Sequence, residues 1–192
     1  MNSGGFYITD SQVGQTSGSG MIFTDCDNIS LDSVKVYDTS ENGEGAVRIT
    51  SSGLIFSDIT VERTYLGNGI QFTGIEDAAS EVTVSDSAFA YIAGVGISVI
   101  ACDKQTVDGT AVVATDSLVI DNVIFIGNES YDINYENTRE DSSNLASYIG
   151  NSTFVRDDGA YYEEYPDGIM GVIQNNNTFF TSGEYAEMRS DY

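Results

Sequence analysis

The strongest constraint in this sequence is a repeat. An Asp, Asn or Ser follows one apolar residue by two positions and precedes another by three. The rows are Ile8-Thr-Asp10-Ser-Gln-Val13, Leu31-Asp-Ser33-Val-Lys-Val36, Phe56-Ser-Asp58-Ile-Thr-Val61 and Val84-Ser-Asp86-Ser-Ala-Phe89. Ile120-Asp-Asn122-Val-Ile-Phe125 and Ile149-Gly-Asn151-Ser-Thr-Phe154 continue it, and Gln174-Asn-Asn176-Asn-Thr-Phe179 is a weaker last row. Successive anchors stand 23, 25, 28, 36, 29 and 25 residues apart. A second element keeps step. Gly20-Met-Ile-Phe23, Gly45-Ala-Val-Arg-Ile49, Gly69-Ile-Gln-Phe72, Gly96-Ile-Ser-Val99 and Asp132-Ile-Asn-Tyr135 begin 10, 12, 11, 10 and 10 residues after their anchors. Each row thus carries two or three short strands broken by polar corners. One row cannot bury its apolar face alone, so the rows must stack into a solenoid around a continuous core.

Recurrent Val, Ile, Thr, Tyr and Phe favour strands. Gly occurs 20 times and Pro once, and no helical periodicity runs beyond about two turns. The repeated apolar-x-apolar-x-(Asp/Asn) and Gly-Ile-x-apolar elements resemble the right-handed parallel β-helix, pectate-lyase-like superfamily. That superfamily includes the β-helix repeats of surface proteins and of phage tailspikes. The resemblance covers about residues 6–180. It implies an all-β chain, a right-handed parallel β-helix solenoid of about seven coils, forming a single domain over 1–192. Three stretches break the period and read as loop insertions, 103–116, 136–144 and 157–168. Insertions in a solenoid emerge on one side, often the binding side. The chain from Glu184 to Tyr192 shows no evident capping helix. A bare solenoid end would need a cover from another chain or another part of this one.

Thirty acidic residues face seven basic ones, for a net charge of −23. Such a field repels nucleic acid, acidic polysaccharide and anionic lipid. Both salt-adapted proteins and ordinary acidic extracellular proteins carry this balance. No apolar run is long enough to cross a bilayer, so no membrane insertion is expected. The N-terminus lacks the layout of a signal peptide, which suits a chain with almost no N-terminal extension.

Asp10, Asp58, Asp86, Asn122, Asn151 and Asn176 form the expected corner ladder. Asp and Asn accept left-handed turns and bond neighbouring backbone, and stacked Asn side chains bond along the axis. Carboxylates in line are also the ligand type that Ca2+ takes, but corner geometry accounts for them, and no metal or other cofactor is expected. Cys26 and Cys102 occupy equivalent positions three coils apart, about 14 Å at ~4.8 Å per strand step. That is beyond disulfide reach, so two free, buried thiols are expected. Four N-x-S/T sequons begin at Asn28, Asn128, Asn151 and Asn176; of these, Asn128 is the expected acceptor, because the last two serve the ladder.

Histidine is absent, which removes the commonest general base. The resemblance implies two enzymatic alternatives. Pectate lyases use basic residues with Ca2+, but the basic residues here are scattered. Polygalacturonases use clustered Asp with a His, whereas this chain has one Asp-Asp pair, Asp157-Asp158, and no His. No catalytic residue is assigned. Tyr37, Tyr65 and Tyr91 fall after the anchors, and in register they would line a stripe that Tyr161, Tyr162 and Tyr165 extend. These rings are the candidate glycan contacts. The reading that follows is a structural and receptor-recognition component of a virion or extracellular surface. It would be a tail fibre, tailspike or turret, assembled as a trimer or with other virion proteins, with host surface glycan as ligand. A pectinase-like lyase or hydrolase and a cell-surface β-helix module are the alternatives.

Overall fold

The anchor rows become coils because each alternates inward apolar residues with outward polar ones and then turns at a residue that tolerates positive φ. The computed structural model describes residues 5–26, 28–51, 53–74, 81–101, 106–107, 110–111, 117–137, 148–158, 161 and 173–190. The protein is a parallel β-solenoid. Its first coil holds β1 (Phe6–Gly14) and β2 (Met21–Cys26), and its second β3 (Ile29–Thr39) and β4 (Val47–Ser51). The third holds β5 (Gly53–Ser57), β6 (Thr60–Thr64) and β7 (Ile70–Gly74). The fourth holds β8 (Glu81–Ser85), β9 (Ala88–Ile92) and β10 (Ile97–Ala101).

Between coils four and five, β11 (Thr106–Val107) and β12 (Thr110–Ala111) pair antiparallel within the stretch read as the first insertion. The fifth coil holds β13 (Ser117–Asp121), β14 (Ile124–Ile126) and β15 (Ile133–Asn137). The second expected insertion, 136–144, begins late, since β15 runs through Asn137. Two further corners follow, β16 (Tyr148–Gly150) with β17 (Thr153–Val155), and β18 (Ile173–Asn175) with β19 (Thr178–Phe180). Five coils carry both sheets; the last two carry only the first among the described residues.

Register follows the repeat. Ile8, Leu31, Phe56, Val84, Ile120, Ile149 and Gln174 form one column, and Val13, Val36, Val61, Phe89, Phe125, Phe154 and Phe179 another. The second sheet aligns Met21, Val47, Ile70, Ile97 and Ile133. This register corrects one row: Ala46, not Gly45, is level with Gly20, and Gly69, Gly96 and Asp132 continue that column. From Phe89 the rings stack at 5.5, 5.0 and 5.2 Å between centroids, nearly parallel. Every member of this run is fully buried except Phe179.

The C-terminal stretch is a second correction, for it carries a helix. Helix α1 (Ser182–Ser190) follows β19 directly. Its start is a capping box. The Thr181 backbone N–H donates to Glu184 Oε2 at 2.8 Å, and the Glu184 N–H donates to Thr181 Oγ1 at 3.3 Å. The Thr181 N–H, and after it the Thr181 hydroxyl donating to the same oxygen at 2.8 Å, hold the Glu184 carboxyl below its ordinary range. The signal was present as Thr181-x-x-Glu184, but the helix is polar and largely exposed, so no amphipathic period announces it. Tyr185 reaches back to Phe180, ring to ring at 5.9 Å.

Candidate functional site

All seven anchors have positive φ, between 47° and 56°. Their side chains stand at the surface and are partly linked along the axis. Ser33 donates to Asp58, Asn122 Nδ2 to Asp86 Oδ1 at 2.7 Å, and Asn176 Nδ2 to Asn151 Oδ1 at 2.7 Å. Asn151 turns instead to Asp121 at 2.7 Å. Among the described residues no group of three or more Asp, Glu, Cys or His is placed to hold a metal ion.

One residue inward, Val34, Ile59, Ser87, Val123 and Ser152 line the inside of the corner, all buried. Here the serines do backbone work that periodicity could not reveal. Ser87 Oγ accepts from the Ile59 N–H and Ser152 Oγ from the Val123 N–H, each at 3.1 Å in the preceding coil. Asn177 Oδ1 serves the Ser152 N–H in the same way at 3.0 Å. Without them these turned-in amides would be buried without a partner.

A second left-handed corner lies five residues after each of the first five anchors, at Gln15, Asp38, Arg63, Tyr91 and Gly127. Glu62 pairs with Ala90 and Thr64 with Ile92, so Arg63 and Tyr91 stand level in neighbouring coils. Tyr91 is 61% exposed, Tyr65 53% and Leu66 65%. Arg63 Nε and Nη2 hold both Asp38 oxygens, at 2.6 and 3.2 Å, and Nη1 meets Glu62 at 3.2 Å. The hydrogen bond from Arg63 holds the Asp38 carboxyl below its ordinary range. Lys35 also pairs with Glu62, at 3.0 Å.

The expected tyrosine stripe breaks up in this register. Tyr37 lies four residues past its anchor, Tyr91 five and Tyr65 seven, so they belong to three columns. Tyr37 and Tyr91 each lie across a glycine of a neighbouring coil, Gly14 and Gly127 respectively. Tyr161 is elsewhere, packed at the interior edge against Phe154 and Phe179 at 5.8 and 4.7 Å. Tyr162 and Tyr165 lie outside the described residues. Unequal offsets from the anchors, in a register that pairs equal offsets, separate the three rings.

The most unusual chemistry is buried. Asp132 occupies the column that Gly20, Gly69 and Gly96 keep small, and its side chain is wholly buried. Asn128 Nδ2 donates to Asp132 Oδ1 at 2.7 Å, and Asn128 Oδ1 accepts from the Ile92 N–H at 3.1 Å. Asn128, 4% exposed and bonded at both ends, is therefore no site for a glycan, contrary to expectation. Arg156, also 4% exposed, holds Asp158 through Nε and Nη2 at 2.7 and 2.9 Å. Its Nη1 faces Asp132 Oδ1 at 3.6 Å. Burial pushes the Asp132 carboxyl up to about 7, against the opposing pull of Asn128 and Arg156. Burial acts to lower Arg156, but Asp158 and Asp132 more than offset it, and the guanidinium stays charged.

Cys26 is free and buried; Cys102 lies outside the described residues. A recess of about 60 Å3 on the outer face of the second sheet is lined by Ile22, Thr24, Arg48, Thr50, Gln71 and Thr73. Small-molecule sites usually offer about 300–1,000 Å3. Among the described residues no helix is long and apolar enough to cross a membrane. Set against models of protein families, curated proteins and solved structures, the chain finds no match.

Proposed function

We propose that this chain is a structural and recognition component of a surface, of the kind displayed by virion tail fibres, tailspikes and turrets. We place it in the pectate-lyase-like branch of the parallel β-helix fold. The observation that carries the recognition half is the second corner of coils three and four. Arg63 and Tyr91 hold φ of 53° and 58° in a column where Gly127 shows that a glycine fits. Bulky residues in that region cost about 1–2 kcal/mol each in isolated backbone, and such strain concentrates at binding surfaces.

The strained geometry leaves Tyr91 exposed and level, in the neighbouring coil, with Arg63 and its Asp38 partner. Flat aromatic faces stack on the C–H face of a sugar ring, and ion-paired groups bond its hydroxyls. With a net charge of −23 the surface disfavours anionic glycans, so the ligand is a neutral host-surface glycan. The structural half rests on the solenoid itself, whose stacked coils make a stiff rod. Homotrimeric assembly, or assembly with other virion proteins, completes the proposal.

Two measurements test it. Light scattering in dilute buffer and in molar salt should give three times the chain mass, at least in salt, where self-repulsion is screened. A monomer at both salts would overturn the trimer. A panel of neutral glycans should retain the wild-type chain and lose it with Tyr91→Ala, with the fold checked by circular dichroism. Unchanged binding by that variant would move the recognition surface elsewhere, and no binding by the wild type would reject glycan recognition.

A further inference from the structure

We propose that Asp132 and Arg156 form a proton-controlled latch between the fifth and sixth coils, in which loss of the Asp132 proton draws Arg156 from Asp158 to Asp132.

The geometry carries the argument. One guanidinium faces two carboxylates, and it is committed to the solvent-exposed one, Asp158, by two hydrogen bonds. The wholly buried one, Asp132, receives a single side-chain hydrogen bond among the described residues, from the Asn128 amide. Asp132 Oδ2 and Arg156 Nη1 are both buried and have no hydrogen-bond partner among the described residues, although Nη1 stands 3.6 Å from Asp132 Oδ1. An orphan carboxyl oxygen is where a proton resides, and an orphan guanidinium N–H is the donor that an ionised Asp132 would recruit. Among the described residues the charged groups facing Asp132 are Arg156 and Asp158, while Tyr161 faces Arg156. Gly96, on the coil-four side, brings only backbone against the Asp132 carbonyl.

The latch has a mechanical load. The Tyr161 carbonyl accepts from both the Asp132 and Ile133 N–H groups, at 3.1 Å each, where the second sheet ends among the described residues. Its ring closes the Phe154–Phe179 stack. Deprotonation sends the Oδ2 proton to solvent and leaves a buried carboxylate. The nearest remedy is rotation of Arg156 onto it, which releases Asp158.

The sign follows from burial. The native Asp132 titrates near 7 against an ordinary value of 3.8, so the folded state holds a proton that the unfolded state has lost. The contribution of this group to stability is largest below about pH 4, falls as pH rises towards 7, and is flat above it.

The test is urea unfolding of the full chain at fixed salt from pH 5 to 8.5, for wild type and Asp132→Asn. The ratio of their unfolding constants should change about a hundredfold over that range, with wild type losing ground as pH rises. A ratio flat with pH would overturn the latch. Carbon-13 NMR of the Asp132 carboxyl, assigned through its bond to the Asn128 amide, gives the same answer even if Asp132→Asn fails to fold. A midpoint near 7 supports the proposal and one near 4 defeats it. Asp158→Asn removes a neighbouring negative charge and frees Arg156, and both should move that midpoint to lower pH; an unmoved midpoint would defeat the latch.

Discussion

Two clusters of one guanidinium and two carboxylates, one outside the solenoid and one inside, behave in opposite ways. At coils two and three Arg63 holds Asp38 and Glu62 in the open, and its hydrogen bond pulls the Asp38 carboxyl below its ordinary range. At coils five and six Arg156 holds Asp158 and faces Asp132, yet the Asp132 carboxyl rises to about 7. The two clusters are alike in composition, but Arg63 gives two hydrogen bonds to Asp38, whereas Arg156 gives its two to Asp158 and stands 3.6 Å from Asp132. Access to water differs, and in the second cluster desolvation exceeds the combined pull of Asn128 and Arg156. A partner list therefore does not settle the proton affinity of an acid in a stacked coil; its depth does.

The largest expected effect breaks the inner cluster. Arg156→Ala leaves Asp132 without its countercharge and should cost about 3–5 kcal/mol at pH 8, read from urea unfolding. At pH 5, where Asp132 holds its proton, the loss should be smaller. Equal losses at both pH values would show that Arg156 acts by packing and not by charge.

Gly96→Ala probes why charge could be buried there at all. A Cβ at Gly96 would stand 2.7 Å from the Asp132 carbonyl oxygen and 3.1 Å from Asn128 Nδ2. We expect a loss of about 1–3 kcal/mol from overpacking, although the same column accepts Ala46 three coils from Asp132. A neutral result would mean that coils four and five separate easily.

Asn151→Ala tests a corner away from both clusters. Asn151 holds φ of 50° and bonds Asp121 and Asn176. Alanine should cost about 1–2 kcal/mol, and Asn151→Gly much less, in thermal melts. If the two variants melt alike, the side-chain bonds and not the backbone conformation decide that corner.

Arg63→Ala should have the smallest effect. Its partners stay in water, so the change in urea midpoint should be slight in dilute buffer and vanish in molar salt. A salt-independent loss would place the outer cluster nearer the inner one in kind.

The sequence by itself determined the repeat, the parallel stacking and the register of both inward columns, because inward residues at fixed offsets from a turn residue can be buried in only one alignment. It also marked all seven anchors, since Asp, Asn and Ser tolerate the left-handed turn that every coil needs. Helix α1 was written in four residues, Thr181 to Glu184, but without an apolar period to draw attention to it. The offsets of Tyr37, Tyr65 and Tyr91 from their anchors, four, seven and five residues, already differ in the sequence, and the parallel register turns those offsets into three separate columns. Only the tertiary structure brought Asp132 and Arg156 together, 24 positions apart in the numbering and adjacent in the stack. In the sequence Asp132 stood in for a glycine and Arg156 was one of seven scattered cations. Burial, which belongs to the packed coils and not to either residue, gave the pair its chemistry.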